Sequence, residues 1–292
     1  MTGRILKGIG GFYYVDTGDV TYACKAKGIF RNTGQKPLVG DYVTIEITHE
    51  KDKEGNITSI INRKNSLIRP EAANVDQALV IFAVKNPDLN EGLLNRFLVT
   101  MEKEGVPVII CFNKTDLANE AEKERLKDIY QKSASYELCF TVAKEGKNID
   151  KLKALLKGKT SIVAGPSGVG KSTMINRLIG FDHMETGDLS KKIARGKNTT
   201  RHSELLSLDE DTFIMDTPGF SSVDISDILP EDLGGYFPEI DKNKHKCRFA
   251  KCVHIHEPDC GVKEALLNGE FAKERYDEYV CMYTALKEKR RY

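Results

Sequence analysis

Residues Gly165-Pro166-Ser167-Gly168-Val169-Gly170-Lys171-Ser172 have the G-x-x-x-x-G-K-S spacing that turns backbone amides toward phosphate oxygens. The loop follows an apolar run, Ser161-Ile162-Val163-Ala164, and opens a helical pattern at Lys171 to Leu178, so a helix N-terminus adds its dipole to the anion site. A chance glycine-rich turn is disfavoured once strand, loop and helix agree. Lys171 is placed to pair with β- and γ-phosphates, Ser172 to ligate Mg²⁺, and Thr173 to extend the nucleotide-contacting stretch. A second constellation, Asn113-Lys114-Thr115-Asp116, closes the apolar strand Val106 to Phe112. The Asp116 carboxylate can accept from N1–H and the 2-amino group of guanine. Adenine offers an acceptor at N1 and would leave the carboxylate unpaired, a mismatch that discriminates by roughly 10⁴-fold.

Three further segments complete a nucleotide site. Thr141-Val142-Ala143-Lys144 is similar to the Ser-Ala-Lys element of GTPases; Val142 replaces the serine, but the Ala143 amide stays available for the guanine carbonyl. Asp216-Thr217-Pro218-Gly219 follows the apolar strand Thr212 to Met215 and matches a D-x-x-G switch, with Asp216 supporting Mg²⁺ and the Gly219 amide meeting the γ-phosphate. Upstream, Gly196-Lys197-Asn198-Thr199-Thr200-Arg201 offers Thr200, chosen over Thr199, to complete the metal shell as in a first switch loop. A simple turn is the plain alternative for that threonine pair. Lys171, Thr200, Asp216 and Gly219 are thus the expected catalytic set. Phe220 stands where many GTPases carry a water-positioning glutamine, so intrinsic hydrolysis should be slow, with the catalytic group coming from another loop or a partner.

Cys247, Cys252, His254 and Cys260 supply three thiolates and an imidazole, the inventory of a closed tetrahedral site for one zinc ion. His256 is a rival for His254. The neighbouring Lys246, Arg248, Lys251 and Asp259 are unsuited to an apolar core, so a metal is the expected means of holding the segment folded. The other cysteines, Cys24, Cys111, Cys139 and Cys281, sit among apolar neighbours and read as buried free thiols. An odd total of seven argues against a disulfide framework.

The elements that must position these groups change character along the chain. Residues 1–69 alternate short β-rich runs with Gly, Asp and Asn turns, which predicts an all-β barrel, an OB-fold first; such barrels present a strand face to oligonucleotides or serve only as protein contacts, and RNA binding is the preferred reading here. From Asp76, strand and helix patterns alternate, which predicts a parallel α/β domain over 70–228. Residues 229–292 read as a mainly helical zinc-binding domain, with helical spacing at Tyr276, Tyr279, Val280, Tyr283 and Leu286. The chain is 292 residues long with a net charge of +1, yet residues 1–69 hold 11 basic against 7 acidic residues, a surplus compatible with nucleic-acid phosphates. No apolar run reaches membrane-spanning length and the first residues do not open a signal peptide, so a cytoplasmic protein without a membrane partner is expected.

The base-reading tetrapeptide ends 49 residues before the phosphate loop begins (116 to 165), the reverse of an ordinary GTPase chain. Together with the Asp216 to Phe220 switch, the N-terminal barrel and the Cys-Cys-His-Cys cluster, this order resembles the bacterial RsgA family, also called YjeQ or YloQ, across the whole chain. The resemblance implies a circularly permuted P-loop GTPase binding GTP and GDP. It further implies stimulation by the small (30S) ribosomal subunit, a role in late subunit maturation, and contact with 16S rRNA through the flanking domains. A particle-binding factor of this kind need only be a monomer. Members often carry a histidine where this chain has Asn198.

Overall fold

The structure, a computed structural model, describes residues 1–28, 30, 35–68, 70–180, 203–216 and 223–290. The expected switch residues Thr200, Gly219 and Phe220 lie outside them. Two compact units are formed, and neither is continuous in sequence.

The first unit comprises residues 1–78, 149–164 and 172–221. Five strands, β1 (Thr2–Ile9), β2 (Phe12–Asp16), β3 (Thr21–Ala26), β4 (Tyr42–His49) and β5 (Glu54–Ile60), run in the order β1-β2-β3-β5-β4, and β4 pairs back onto β1. That closure removes free edges, and only β3 and β5 run parallel. Alternate residues point inward, so Ile5, Val15, Cys24, Val43, Ile45 and Ile57 fill the barrel. A short hairpin, β6 (Ser66–Leu67) with β7 (Ala72–Ala73), follows. The strand β1 was not legible as such in the sequence, because its run of glycine, arginine and lysine hides the alternation.

In the same unit, β11 (Thr160–Ala164) pairs in parallel with β13 (Phe213–Asp216), and β13 pairs antiparallel with β12 (Glu204–Ser207). β12 pairs with the barrel strand β1 at Lys7 and Glu204, whose side chains form an ion pair at 3.0 Å. Arg4 pins this junction. Its buried guanidinium donates to Thr160 Oγ1 at 2.7 Å and lies 4.5 Å from the Phe213 ring centre. Helix α3 (Ile149–Leu156) precedes β11, and α4 (Lys171–Ile179) follows the phosphate loop.

The second unit comprises residues 79–148, 165–171 and 222–292. Strand β8 (Gln77–Ala83), which enters it at Leu79, neighbours β9 (Val108–Asn113), which pairs in parallel with β10 (Glu137–Phe140). All three are apolar runs rather than alternating ones, as a sheet covered on both faces requires. Helix α1 (Glu91–Lys103) is capped by Asn90, whose side chain accepts from the Leu93 amide at 2.8 Å. Helix α2 (Glu120–Leu126) begins with a capping box between Asn119 and Glu122. Beyond α2 the chain widens into a π-helical turn over Lys127–Lys132, which buries Ile129 and Tyr130.

The C-terminal region contains a 3₁₀ turn, Pro230–Tyr236, then α5 (Pro238–Asn243), α6 (Gly261–Leu267) and α7 (Lys273–Lys289). Leu233, Phe237, Ile240, Val262, Tyr279 and Met282 form its core, joined by Ile225, Ile228 and Val99 of α1. Arg275 is fully buried there, pairs with Glu239 at 2.6 Å, and donates to the Asn95 side chain. One expectation is corrected: Cys281 is exposed, whereas Cys24, Cys111 and Cys139 are buried. The inward face of α7 carries Tyr279, Met282 and Leu286, and residue 281 falls off that stripe.

Candidate nucleotide site and metal centre

β9 and β10 are aligned so that Phe112 lies opposite Phe140, which brings Asn113 and Thr141 to the same strand edge. Ligands bind at this edge in open α/β sheets. Asn113 is buried, and the left-handed backbone of Lys114 (φ 59°) then turns the chain into a 3₁₀ turn, Thr115–Leu117. The turn leaves Asp116 exposed.

Asn113 ties three loops together. Its Nδ2 donates to the Val169 carbonyl at 2.8 Å, and its Oδ1 accepts from the Ala143 amide at 3.0 Å and the Thr141 hydroxyl at 3.2 Å. The Lys114 ammonium donates to the Gly168 carbonyl at 2.9 Å and to the Asn86 carbonyl. Thr115 Oγ1 donates to the Thr141 carbonyl at 3.1 Å. The tetrapeptide 113–116, the Ala143 loop and the phosphate loop are therefore one hydrogen-bonded assembly.

In the phosphate loop, the glycines are obligatory at two points. A Cβ on Gly165 (φ 138°) would lie 2.1 Å from the Ile81 carbonyl oxygen, and one on Gly170 (φ 96°) would lie 2.5 Å from Asn113 Nδ2. Ser167 and Gly168 are exposed at the loop tip, and Lys171 Nζ donates to the Gly165 and Pro166 carbonyls at 2.8 and 2.6 Å. Ser172 and Thr173 are exposed on the first turn of α4. In the first unit, Asp216 ends β13 opposite Val163 of β11, two residues before Gly165 in the chain. A serine hydroxyl and a carboxylate are the hard oxygen donors that suit Mg²⁺.

Cys247, Cys252, His254 and Cys260 converge, with their ligand atoms all within 4.8 Å of one another. Cys247 Sγ lies 3.8 Å from Cys260 Sγ, and His254 Nδ1 lies 3.4 and 3.5 Å from those two sulfurs. A zinc tetrahedron with bonds of about 2.3 Å to sulfur and about 2.0 Å to nitrogen has edges of about 3.8 and 3.5 Å, so the donor set fits that ion. The cluster takes His254, not His256. Burial lowers the His254 pKa, which keeps the imidazole neutral and able to ligate, and pushes the Cys252 thiol up to about 12. A cation must displace that proton.

Sequence reasoning missed the groups that hold these sites. Thr141 and the Asn86 carbonyl support Asn113 and Lys114. Around the cluster, Tyr276 and Tyr279 donate to the His254 and Val253 carbonyls at 2.6 and 2.8 Å, and the Glu257 carboxylate accepts from the Val253, Ile255 and His256 amides. The two tyrosines were visible as members of a helical stripe. Nothing in the sequence marked Glu257.

A family model described as RsgA GTPase matches residues 60–226, and one described as RsgA N-terminal domain matches residues 2–57. A protein of Agathobacter rectalis named small ribosomal subunit biogenesis GTPase RsgA is 51% identical over all of both chains. A protein of the same name from Alkaliphilus metalliredigens is 46% identical over 99% of each. Among solved structures, YjeQ from Thermotoga maritima superposes with a TM-score of 0.82 at 36% identity, covering 98% of both chains. YloQ, described as a circularly permuted GTPase, gives 0.79 at 36% identity, covering 99% of this chain and 95% of its own. With a family model spanning more than half of its length and relatives matching it from end to end, the chain belongs to the RsgA GTPase family and is a GTP hydrolase.

Proposed function

We propose that this chain hydrolyses GTP to GDP and phosphate on the small (30S) ribosomal subunit and so assists late subunit maturation. The names of its relatives support the partner. The observation that carries the site assignment is the Asn113 side chain, which joins the base-reading turn to the phosphate loop through Val169 at 2.8 Å. Asp116 reads guanine, Ala143 supplies an amide to its carbonyl, and residues 165–173 cradle the phosphates with Lys171 as the mobile charge.

Ser172, Thr200 and Asp216 hold Mg²⁺, which when bound neutralises charge on the β- and γ-phosphate oxygens. The Gly219 amide meets the γ-phosphate. Phe220 has no group to orient water, so the water-positioning group comes from another loop or from the subunit. Cys247, Cys252, His254 and Cys260 hold one zinc ion. The barrel and the zinc-binding region contact 16S rRNA, and the protein works as a cytoplasmic monomer.

The test is the GTPase rate with and without purified small subunits. The expected result is stimulation by roughly 10³-fold, the lower end of what a catalytic group supplied in trans contributes. An unchanged rate would remove the subunit from the mechanism.

A further inference from the structure

The loop between two donors of the metal cluster, Cys247 and Cys252, carries an aromatic side chain outward. Phe249 is 43% exposed, although an apolar core built around Phe237 and Tyr279 exists in the same region. We propose that Phe249, flanked by Arg248, is a stacking platform for an unpaired RNA base, an inference that rests on the small-subunit reading above.

The platform is built rather than floppy. The Arg248 amide donates to the Asp259 carbonyl at 3.2 Å, and the Cys252 amide donates to the Phe249 carbonyl at 3.2 Å. The Arg248 guanidinium donates to the Asp259 carboxylate at 2.9 Å and lies 5.7 Å from the centre of the Phe249 ring. Ring and guanidinium are thus presented side by side on a loop anchored at both ends by the metal donors, so little order has to be gained on binding.

Charge selects the partner. Residues 242–251 contain Lys242, Lys244, Lys246, Arg248 and Lys251, all exposed, and no acidic residue; Asp241, Glu270 and Asp259 pair with Lys244, Lys246 and Arg248, which leaves Lys242 and Lys251 without an ion pair among the described residues. An apolar pocket on another protein would take the ring without needing this cationic segment. A nucleic acid supplies both a π-face for the ring and phosphates for the cations. Base faces are covered in a duplex, so the base is an unpaired one.

The chain has no tryptophan, which makes the site its own reporter. Phe249→Trp should keep its affinity for purified small subunits, and its emission should be quenched when they are added, as stacking on a base requires. Phe249→Leu should bind about 5- to 150-fold more weakly, the range for losing one base–aromatic stack. Zinc content and thermal melting of both variants establish that the loop is intact. Unchanged affinity for Phe249→Leu, or a blue shift without quenching for Phe249→Trp, would overturn the platform while leaving wild-type subunit binding in place. Failure of the wild-type protein to bind subunits would overturn the parent reading and this one with it.

Discussion

The side-chain amide of Asn113 reaches the carbonyl of Val169 across 2.8 Å, joining residues 56 positions apart in the chain. The same side chain also accepts from the Ala143 amide, so one residue links the 113–116 turn, the Ala143 loop and the phosphate loop. In a permuted chain these segments arrive in reversed order, and Asn113, with Lys114 on the Gly168 carbonyl, ties them together.

Removing it should therefore damage both halves at once. Asn113→Ala deletes three hydrogen bonds and leaves the Val169 carbonyl without its donor, at a cost of about 1–3 kcal/mol in stability. Asn113→Asp should be worse for binding, since a carboxylate cannot donate to Val169 and would face its oxygen. Titration with a fluescent GDP analogue should show weakening by at least about tenfold for the alanine variant and more for the aspartate. Equal affinity for Asn113→Asp and wild type would refute the coupling.

The glycines of the loop give a second test with an internal control. In Gly170→Ala the new Cβ would lie 2.5 Å from Asn113 Nδ2 at a backbone φ of 96°, so steric conflict adds to backbone strain. Gly105 has a comparable left-handed backbone (φ 64°), but a Cβ there meets nothing within 4 Å. Gly105→Ala should cost about 1 kcal/mol, read by denaturant unfolding, and spare GDP binding. Gly170→Ala should lose GDP binding altogether.

The spacing of the phosphate loop, the base-reading tetrapeptide and the cysteine cluster were all legible in the sequence because each is a local pattern with a local physical cause. Strands β9 and β11 were legible as uninterrupted apolar runs. The supports were not. Thr141 holds Asn113 only because β9 and β10 pair in register, and Arg275 meets Asn95 across 180 positions, so neither contact leaves a signature in its own neighbourhood. The π-helical turn at Lys127–Lys132 was hidden because its composition still reads as an ordinary helix.

Guanine selection should depend on Asp116. Asp116→Asn replaces an acceptor pair with one acceptor and one donor, which suits the 2-oxo group of xanthine. Affinity should shift from GDP toward XDP, measured by competition between the two. Unchanged base preference would remove Asp116 as the reader.

The buried pair of Arg275 and Glu239 makes a prediction about stability. Burial works against the charge of Arg275, but the neighbouring Glu239 carboxylate, aided by Tyr136, more than restores it, so the guanidinium stays charged. Phe237 and Tyr130 flank it at 4.7 and 5.8 Å. Arg275→Met strands the Glu239 carboxylate and should cost about 3–5 kcal/mol in denaturant unfolding, whereas Arg275→Met combined with Glu239→Leu should recover most of the loss. A double variant no better than the single one would mean that packing, not the orphaned charge, sets the cost.

The D-x-x-G segment runs directly into the C-terminal region, and the contacts there say how far a nucleotide signal could travel. Ile225 and Ile228, the first buried residues among the described ones after Asp216, pack in one core with Phe237, Tyr279 and Met282. Tyr279 in turn donates to the Val253 carbonyl beside the metal donor His254. Nucleotide exchange is expected to reach α7 and, through Tyr279, the loop that carries Cys252 and His254. Exchanging GDP for a non-hydrolysable GTP analogue should change amide hydrogen-exchange protection across residues 223–260. Stripping zinc with a chelator should abolish protection over 247–260, because the donors then have nothing to close around. GDP affinity should survive that treatment, since the Asn113 and Lys114 network uses none of those residues. Identical protection of residues 223–260 in the two nucleotide states would separate the switch from the metal-binding region and end the coupling.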